Sequence, residues 1–393
     1  MARGEDAMTL SDMLAAEWRA LIRDRRMLAI LVLVPVAYLV LFGFLYSEHK
    51  VRHLPTIYVD EDQSALSREI LQGFSASEGF QLIGPVASEA EALDAVQRGE
   101  AAVALVIPPD LSQTVKRGQE GKILAVIDGS NMIIANSALQ NANVVVQTFS
   151  GGIAIQRMEA RGLSPDYGYG LGFGYRMLFN PTLNYSDFLL LGLAGTVFQQ
   201  VILLGVSLGV TREKEQGRWE AYLAGGRRPG TVFLAKTLPY FLIGLFDVLL
   251  GVGVAVRGFG VPFQGAMMPF VVLSVAFVLV LVALGFAASL FSRGRLEATQ
   301  VSMLVAVPSF LLSGFTWPFL AMPDWVAALG HCLPLTYYVD GLREVALKGN
   351  GWLTMRTDIE VLLGMAVGLI VVSLVGVVVQ GRISAKKWAA EKV

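Results

Sequence analysis

Residues 211–236 read TREKEQGRWEAYLAGGRRPGTVFLAK and separate two long apolar runs, 188–210 and 237–256. Asp247 is the only charged residue in either run. A stretch as polar as 211–236 cannot lie in hydrocarbon without large cost, because each charged side chain would lose its hydration there. The pattern therefore predicts a loop at a membrane surface, joined on both sides to helices that cross the membrane.

A short helix is expected within this loop. Between Arg212 and Ala224 the only helix breaker is Gly217, and the pair Gly225-Gly226 favours an end to the helix. The loop also holds more Lys and Arg than a loop on the outer side of a membrane normally carries. We therefore expect 211–236 to lie on the cytoplasmic side.

The composition indicates a membrane protein. Hydrophobic residues make up 54% of the chain and charged residues 16%, against about 25% charged in average soluble domains. Six stretches have the roughly 20 apolar residues that a spanning helix needs: 27–46, 188–210, 237–256, 266–291, 301–321 and 361–380. The predicted fold is a polytopic α-helical membrane protein with six transmembrane helices and an extracytoplasmic α/β domain inserted between spans 1 and 2.

Loop charges set the predicted orientation. Seventeen Lys and Arg lie in the segments that are cytoplasmic if the N-terminus is inside, against four in the short outer segments. Both termini are then cytoplasmic. The first apolar run could instead be a cleaved signal peptide, but 26 residues precede it and no small-residue cleavage site follows.

Residues 1–26 are predicted to hold a cytoplasmic amphipathic helix. Apolar residues recur at helical spacing from Leu10 to Ile22, with arginines on the remaining face or at the end. The alternative is an ordinary cationic flank of the first span. At the other end of the chain, 381–393 is expected to be a cytoplasmic tail.

The segment 47–187 alternates strand-like and helix-like stretches, which predicts a compact α/β domain on the outer face. The strand candidates are 55–59, 80–84, 102–107 and 123–127, and the helix candidates are 64–74, 89–98, 111–117 and 133–160. Asp60, Glu61, Asp62 and Asp128 lie at strand ends, where acids usually cap turns, so no metal site is predicted.

Motifs for catalysis are lacking in the sequence. It contains no phosphate-binding loop, no nucleophile elbow and no set of cysteine ligands, since Cys332 is the only cysteine. We expect a chain that is not an enzyme and binds no cofactor itself. The net charge of −1 argues against binding to nucleic acid.

Polar and helix-breaking residues inside the spans are candidates for function. Gln199 and Gln200 need partners or a wet cavity in hydrocarbon, and Asp247 is either functional or a structural hydrogen-bonding group. In span 301–321, Pro308, Gly314 and Pro318 indicate a broken helix. Residues 322–357 are expected to form an outer re-entrant hairpin of short helices.

Several blocks resemble the permease subunits of ABC-2 type exporters that carry one large extracytoplasmic domain after the first span. They include EWRALIRDRRMLAILVLVPVAYLVLFGF at 17–44, FNPTLNYSDFLLLGL at 179–193 and REKEQGRWEAYLAGGRRPGTVFLAKTLPYFLIGL at 212–245. The similarity covers nearly the whole chain, about 10–385, and implies a place in a bacterial inner membrane. Arg218-Trp219 departs from the pattern, in which a Thr and an aliphatic residue are commoner.

The resemblance implies a separate ABC ATPase subunit that binds ATP and Mg, and a second copy of the chain or a paralogous permease. The outer domain could also dock a periplasmic adaptor. The first cytoplasmic loop of such exporters is a coupling helix that sits in a cleft of the ATPase, and this role falls here on Arg212, Glu213, Glu215, Gly217, Arg218 and Glu220.

The resemblance also implies that spans two and five line the substrate path. The candidates for that path are Gln199, Gln200, Asp247, Phe310, Ser313 and Trp317. The apolar candidates among them, Phe310 and Trp317, favour export of an amphiphilic or hydrophobic small molecule, such as a drug, a toxin or a lipid, as in multidrug efflux.

Two other functions compete with this one. Permeases that export polysaccharides or lipid-linked glycans usually lack a large outer domain, so 47–187 argues against that substrate. A membrane receptor using 47–187 as its ligand module would need a cytoplasmic signalling domain, and 381–393 is too short for one.

Overall fold

A computed structural model describes residues 9–46, 52–160, 179, 185–224 and 227–390. The chain divides into two units, one formed by Met1–Ser47 with Leu178–Val393 and the other by Glu48–Met177. The inserted unit corresponds to the segment predicted as 47–187, although parts of that segment lie outside the described residues. Gly225-Gly226, the predicted end of the loop helix, also lies outside them.

The first unit begins with two helices, α1 (Leu10–Arg23) and α2 (Arg25–Leu45). Thr9 and Asp12 form a capping box at the start of α1, in which each backbone N–H donates to the other side chain. Asp24 alone separates the helices, and its carboxylate accepts from the Met27 N–H at 3.1 Å. The predicted first span therefore starts two residues earlier, at Arg25.

The inserted unit follows with four strands and four helices. They are β1 (Leu54–Asp60), α3 (Ala65–Ala76), β2 (Phe80–Pro85), α4 (Glu89–Gln97), β3 (Val103–Ile107), α5 (Leu111–Lys116), β4 (Leu124–Ile127) and α6 (Met132–Ala160). Each predicted strand and helix of this segment lies within two residues of the observed one. At α4 the capping box is offset, because Glu91 accepts from the Ala87 N–H rather than from Ser88.

The four strands form one sheet in the order β2-β1-β3-β4. β1 is parallel to β2 and β3, and β4 is antiparallel at the edge. All five residues of β3 are buried, as expected for a strand covered on both faces. Leu105 packs with Phe74 and Phe80 on one face, while Val106 packs with Ala92 on the other.

The remaining helices complete the first unit. They are α7 (Tyr185–Glu215), α8 (Arg218–Ala224), α9 (Pro229–Phe259), α10 (Met267–Phe291), α11 (Arg295–Leu312), α12 (Asp324–Gly330), α13 (Pro334–Ala346) and α14 (Trp352–Ala390). Five helices of the described chain are long and apolar enough to cross a membrane: α2, α7, α9, α10 and α14. The most buried of these is α10, which makes it the central helix of the unit.

The span predicted at 301–321 is not one continuous helix. α11 ends at Leu312, and beyond it the chain forms only a short 3₁₀ turn at Phe319–Ala321. Gly314 has φ +73°, and a Cβ there would lie 2.5 Å from the Phe319 ring, so this turn requires glycine. α12 and α13 are the short helices of the predicted hairpin, and α14 begins at Trp352 rather than at 361.

Candidate functional site

The loop predicted at 211–236 is shorter in the structure. α7 continues through the first charges of 211–236 and ends at Glu215, while Lys236 lies inside α9. The short helix is α8, and a turn of two residues, Gln216 and Gly217, separates it from α7, with Gly217 at φ +66°. We name the last four residues of α7, Arg212 to Glu215, the charged junction.

Glu213 forms a buried ion cluster with residues far away in the sequence. The Lys236 ammonium lies 2.5 Å from a Glu213 oxygen and 2.7 Å from a Glu17 oxygen of α1. The side chains of Lys236, Glu17 and Glu213 are 2%, 1% and 5% exposed. Tyr240 donates to the other Glu17 oxygen at 3.2 Å. This cluster ties the end of α7 to both α1 and α9.

The other three residues of the charged junction contact three further parts of the chain: the link between α1 and α2, the end of α10 and the start of α11. Arg212 lies 3.3 Å from Asp24, between α1 and α2. Lys214 donates to the carbonyls of Ser289, Leu290 and Ser292 at the end of α10, at 2.6, 3.0 and 3.0 Å. A cation is favourable there because the last carbonyls of a helix are unpaired and carry partial negative charge.

Glu215 completes the set at the start of α11. Its carboxylate accepts from the Arg295 backbone N–H at 2.8 Å and pairs with the Arg295 Nε at 3.0 Å. Successive helical residues are rotated by about 100°, so four consecutive charges point to four sides of α7. The charged junction therefore fixes the end of α7 to α1, α2, α9, α10 and α11.

α8 is held in place by Trp219, which packs against other helices of the same unit. The Trp219 side chain is 3% exposed, and its indole N–H donates to the Gln380 side chain at 2.9 Å. Gln380 in turn donates to the Leu290 carbonyl at 2.6 Å, which links α8 to α14 and α10. The tryptophan that departs from the family pattern is thus a packing residue within this chain.

The six predicted coupling residues fall into two groups. Gly217, Arg218 and Glu220 are exposed. Arg212, Glu213 and Glu215 bind other helices of the same chain.

The sequence reasoning missed two partners, Glu17 and Lys236. A signal for Glu17 was present, since it lies between Met13 and Leu21 at a spacing of four on the apolar face of α1.

Two predicted path residues lie buried within the spans. Gln199 and Asp247 are 0% and 2% exposed, and among the described residues their side-chain polar atoms have no hydrogen-bond partner. Close approaches of Gly244 to Ile202 and of Gly251 to Phe198 show that α7 and α9 cross here. Gln200 is half-buried on the same helix.

The other path candidates lie elsewhere. Phe310 packs near Phe315, with 6.0 Å between ring centroids, and the Ser313 hydroxyl bonds weakly back to the Phe310 carbonyl at 3.4 Å. Trp317 is half-exposed and donates to the Ala321 carbonyl at 3.2 Å. Their role in a substrate path, together with Gln199, Gln200 and Asp247, stays a prediction.

The acidic residues at the strand ends of the inserted unit are occupied by hydrogen bonds. Asp60 accepts from the Ser67 hydroxyl at 2.8 Å, and Asp62 accepts from the Ser112 hydroxyl at 2.9 Å and its N–H at 3.2 Å. Within the part of the chain that the structure describes, no group of His, Cys, Asp or Glu could hold a metal ion.

Comparison with known proteins gives consistent matches along the chain. A family model described as ABC-2 family transporter protein matches residues 25–375. The probable multidrug ABC transporter permease YbhS of Escherichia coli (strain K12) is 27% identical over 355 residues, 89% of this chain and 92% of its own length.

Two further relatives come from the same strain. The probable multidrug ABC transporter permease YbhR is 25% identical over 332 residues, 84% of this chain and 88% of its own length. The inner membrane transport permease YhhJ is 25% identical over 355 residues, 86% of this chain and 88% of its own length.

Proposed function

The chain belongs to the ABC-2 family of transporter proteins, and we propose that it is the permease subunit of an ATP-driven exporter of amphiphilic or hydrophobic small molecules. It is a multi-pass membrane protein and not an enzyme, and in this family ATP hydrolysis belongs to a separate ATPase subunit. Two of the relatives are named as probable multidrug permeases, which supports a substrate of this class.

The observation that carries the proposal is the charged junction. A displacement of α8 is passed to the end of α7 through the two-residue turn Gln216-Gly217, and from there to four neighbouring places by ion pairs and hydrogen bonds. Such an arrangement converts the displacement of a small exposed helix into a joint displacement of several spans.

We assign different roles to the two groups of coupling residues. The exposed Gly217, Arg218 and Glu220 are the contacts to the ATPase. The charged junction carries the movement inward, because Arg212, Glu213 and Glu215 already have partners within the chain. The ATPase-coupling role predicted for all six residues is thereby divided into contact and transmission.

The mechanism is a population shift between two arrangements of the spans. ATP and Mg bound by two ATPase subunits bring those subunits together and move two copies of α8 toward each other. The spans of the two permeases then exchange an inward-open for an outward-open arrangement. The equilibrium between the two arrangements shifts only by the amount by which ATP binds one arrangement more tightly than the other.

The substrate path lies between two permeases in this proposal, either two copies or a copy and a paralogue. α11 exposes Leu304, Val307 and Leu311 at helical spacing, an apolar face that a second permease could cover. Gln199 and Asp247 would become accessible during the exchange, because their unpartnered polar atoms favour a state in which water or substrate reaches them.

The orientation is part of the same proposal. The charged junction and α1 lie on the cytoplasmic side, and the inserted unit lies outside, where it can dock a periplasmic adaptor. α11 with the turn after it would be the sixth span, and α12 and α13 the outer re-entrant hairpin.

A copurification experiment tests the proposal. The ABC-type ATPase that copurifies with the tagged wild-type chain is coexpressed with R218E, E220R and the control E89R, which changes an exposed residue of α4. Reversal of a contact charge should weaken ATPase binding on the order of tenfold or more, with E89R unchanged. Inside-out vesicles that hold the ATPase with wild type or E89R should accumulate an amphiphilic dye when ATP is added. Vesicles with R218E or E220R, and all vesicles without ATP, should not. If no ATPase copurifies with wild type, or all variants bind it equally, the proposal is wrong.

A further inference from the structure

Arginine residues line a cleft beside the charged junction. The cleft has a volume of about 850 Å³, and the described residues that line it include seven arginines and one acidic residue, Asp24. Four of the arginines come from α1 and the start of α2: Arg19, Arg23, Arg25 and Arg26. We name it the arginine cleft.

The positive charge of the arginine cleft is not balanced within the described residues. Arg212 pairs with Asp24, and Arg295 pairs with Glu215. Arg23, Arg25 and Arg26 have no ion-pair partner in the part of the chain that the structure describes. Like charges held close together repel one another, so an anion that enters the cleft is bound favourably.

The position of the arginine cleft indicates what kind of anion this is. Arg26 lies at the start of α2, one of the five helices apolar enough to cross a membrane. Ile30 and Leu33 follow it at spacings of four and seven, on the same helix face, and are 45% and 63% exposed. A guanidinium site thus continues directly into an apolar surface of the kind that contacts acyl chains.

We propose that the arginine cleft binds the phosphate headgroup of an anionic phospholipid, with its acyl chains along Ile30 and Leu33. Guanidinium groups suit this ligand because they donate paired hydrogen bonds to phosphate oxygens. Basic pockets at the end of membrane helices are known to take such headgroups. The proposal does not depend on the ATPase or on the exported substrate.

The test measures lipid binding by the purified full chain in detergent, without an ATPase. Phosphatidylglycerol, phosphatidylcholine and glycerol 3-phosphate are titrated separately, with thermal unfolding and native mass spectrometry as readouts. Phosphatidylglycerol should raise the unfolding temperature and remain bound, whereas phosphatidylcholine and glycerol 3-phosphate at equal concentration should do neither.

Variants then locate the site. R19Q/R23Q/R26Q should lower the affinity for phosphatidylglycerol on the order of a hundredfold, and R26Q alone should lower it less. The control R257Q/R356Q/R382Q removes the same charge from exposed arginines that do not line the cleft, and should bind as wild type does.

Four results would overturn the proposal. Equal binding of the two lipids, or equal losses in both triple variants, would show that no headgroup site exists. Binding of glycerol 3-phosphate as tight as that of the lipid would make the ligand a free phosphate ester. Intact phosphatidylglycerol binding in R19Q/R23Q/R26Q would show that the lipid binds outside the cleft.

Discussion

Lys236 holds two carboxylates in a site with almost no access to water. Removing three charged groups from water is costly, and their mutual attraction compensates only when the geometry is close and the remaining atoms are hydrogen-bonded. Here the ammonium lies within 2.7 Å of both carboxylates, and Tyr240 donates to Glu17. The Tyr222 ring also lies 4.7 Å from the ammonium, which adds a cation–π contact.

Replacing Lys236 should therefore be strongly destabilising. K236M leaves Glu17 and Glu213 buried without a cation, and breaking a buried ion pair from one side costs about 3–5 kcal/mol. Thermal unfolding of the detergent-solubilised chain should show a large loss of stability. The variant K236M/E17L/E213L, which removes all three charges, should recover a good part of it.

The matched control is K348M. Lys348 pairs with Glu344 four residues earlier on a partly exposed surface, where such a pair contributes only about 0–1 kcal/mol. Equal unfolding temperatures of K236M and K348M would contradict the stabilising role of the buried cluster.

For individual residues of the charged loop, the sequence predicted which types of residue are present better than which contacts their side chains make. The resemblance to ABC-2 permeases named Arg212, Glu213 and Glu215 as coupling residues, which stays a prediction. The sequence did not indicate that Glu213 turns inward, since its partners Lys236 and Glu17 lie 23 and 196 positions away along the chain. Contacts over such separations depend on helix packing, which hydropathy does not encode.

At the scale of elements, the short helix α5 is stabilised by a residue that is distant in the sequence. Its own N-cap residue, Asp110, makes no side-chain capping bond. Asp62 accepts instead from the Ser112 N–H and hydroxyl. Burial raises the pKa of the Asp62 carboxyl, but hydrogen bonds from Ser64 and Ser112 and the charge of Lys116 outweigh it and hold the pKa below its usual value of 3.8.

The lowered pKa sets the sign of a pH dependence. Because the folded chain favours the charged carboxylate, its contribution to stability is fully present above pH 3.8 and is lost as the pH falls through the folded pKa. D62A should cost about 1 kcal/mol near pH 7, the usual worth of a helix-capping bond, and much less below the folded pKa.

Hydrogen exchange of α5 in the full chain, corrected for intrinsic rates, measures this effect. The difference between wild type and D62A should shrink on the acid side of pH 3.8. The control D94A removes an exposed partner of Arg98 and should leave α5 unchanged. A difference that stays constant with pH would mean that the charge of Asp62 is not involved.

The helices and strands themselves were well predicted where caps and breakers are local, as in the inserted unit. Long helices were predicted less well, because a hydropathy window stops at the first charges. α7 runs on through Arg212 to Glu215 since each of these charges finds a partner. At α11 the sequence did indicate the break, since Gly314 lies in the turn that ends the helix inside an apolar stretch, whereas Pro308 lies within the helix.

Taken as a whole molecule, the membrane unit is an ABC-2 permease whose spans converge at one small set of charges. Family membership and the multi-pass character were predictable from the sequence, because they depend on composition and on motifs distributed along the chain. The lined path stays a prediction, because the path proposed above lies between two permeases and one chain contributes only one side of it.

The most direct test replaces Glu213 by Gln and measures transport per ATP hydrolysed in vesicles that hold permease and ATPase. E213Q keeps the shape of the side chain and leaves Lys236 paired with Glu17, so folding and ATPase binding should persist. The control E344Q removes a carboxylate outside the charged junction. We expect transport per ATP to fall on the order of tenfold in E213Q and to stay unchanged in E344Q. Unchanged transport per ATP in E213Q, with the ATPase bound, would contradict transmission through the charged junction.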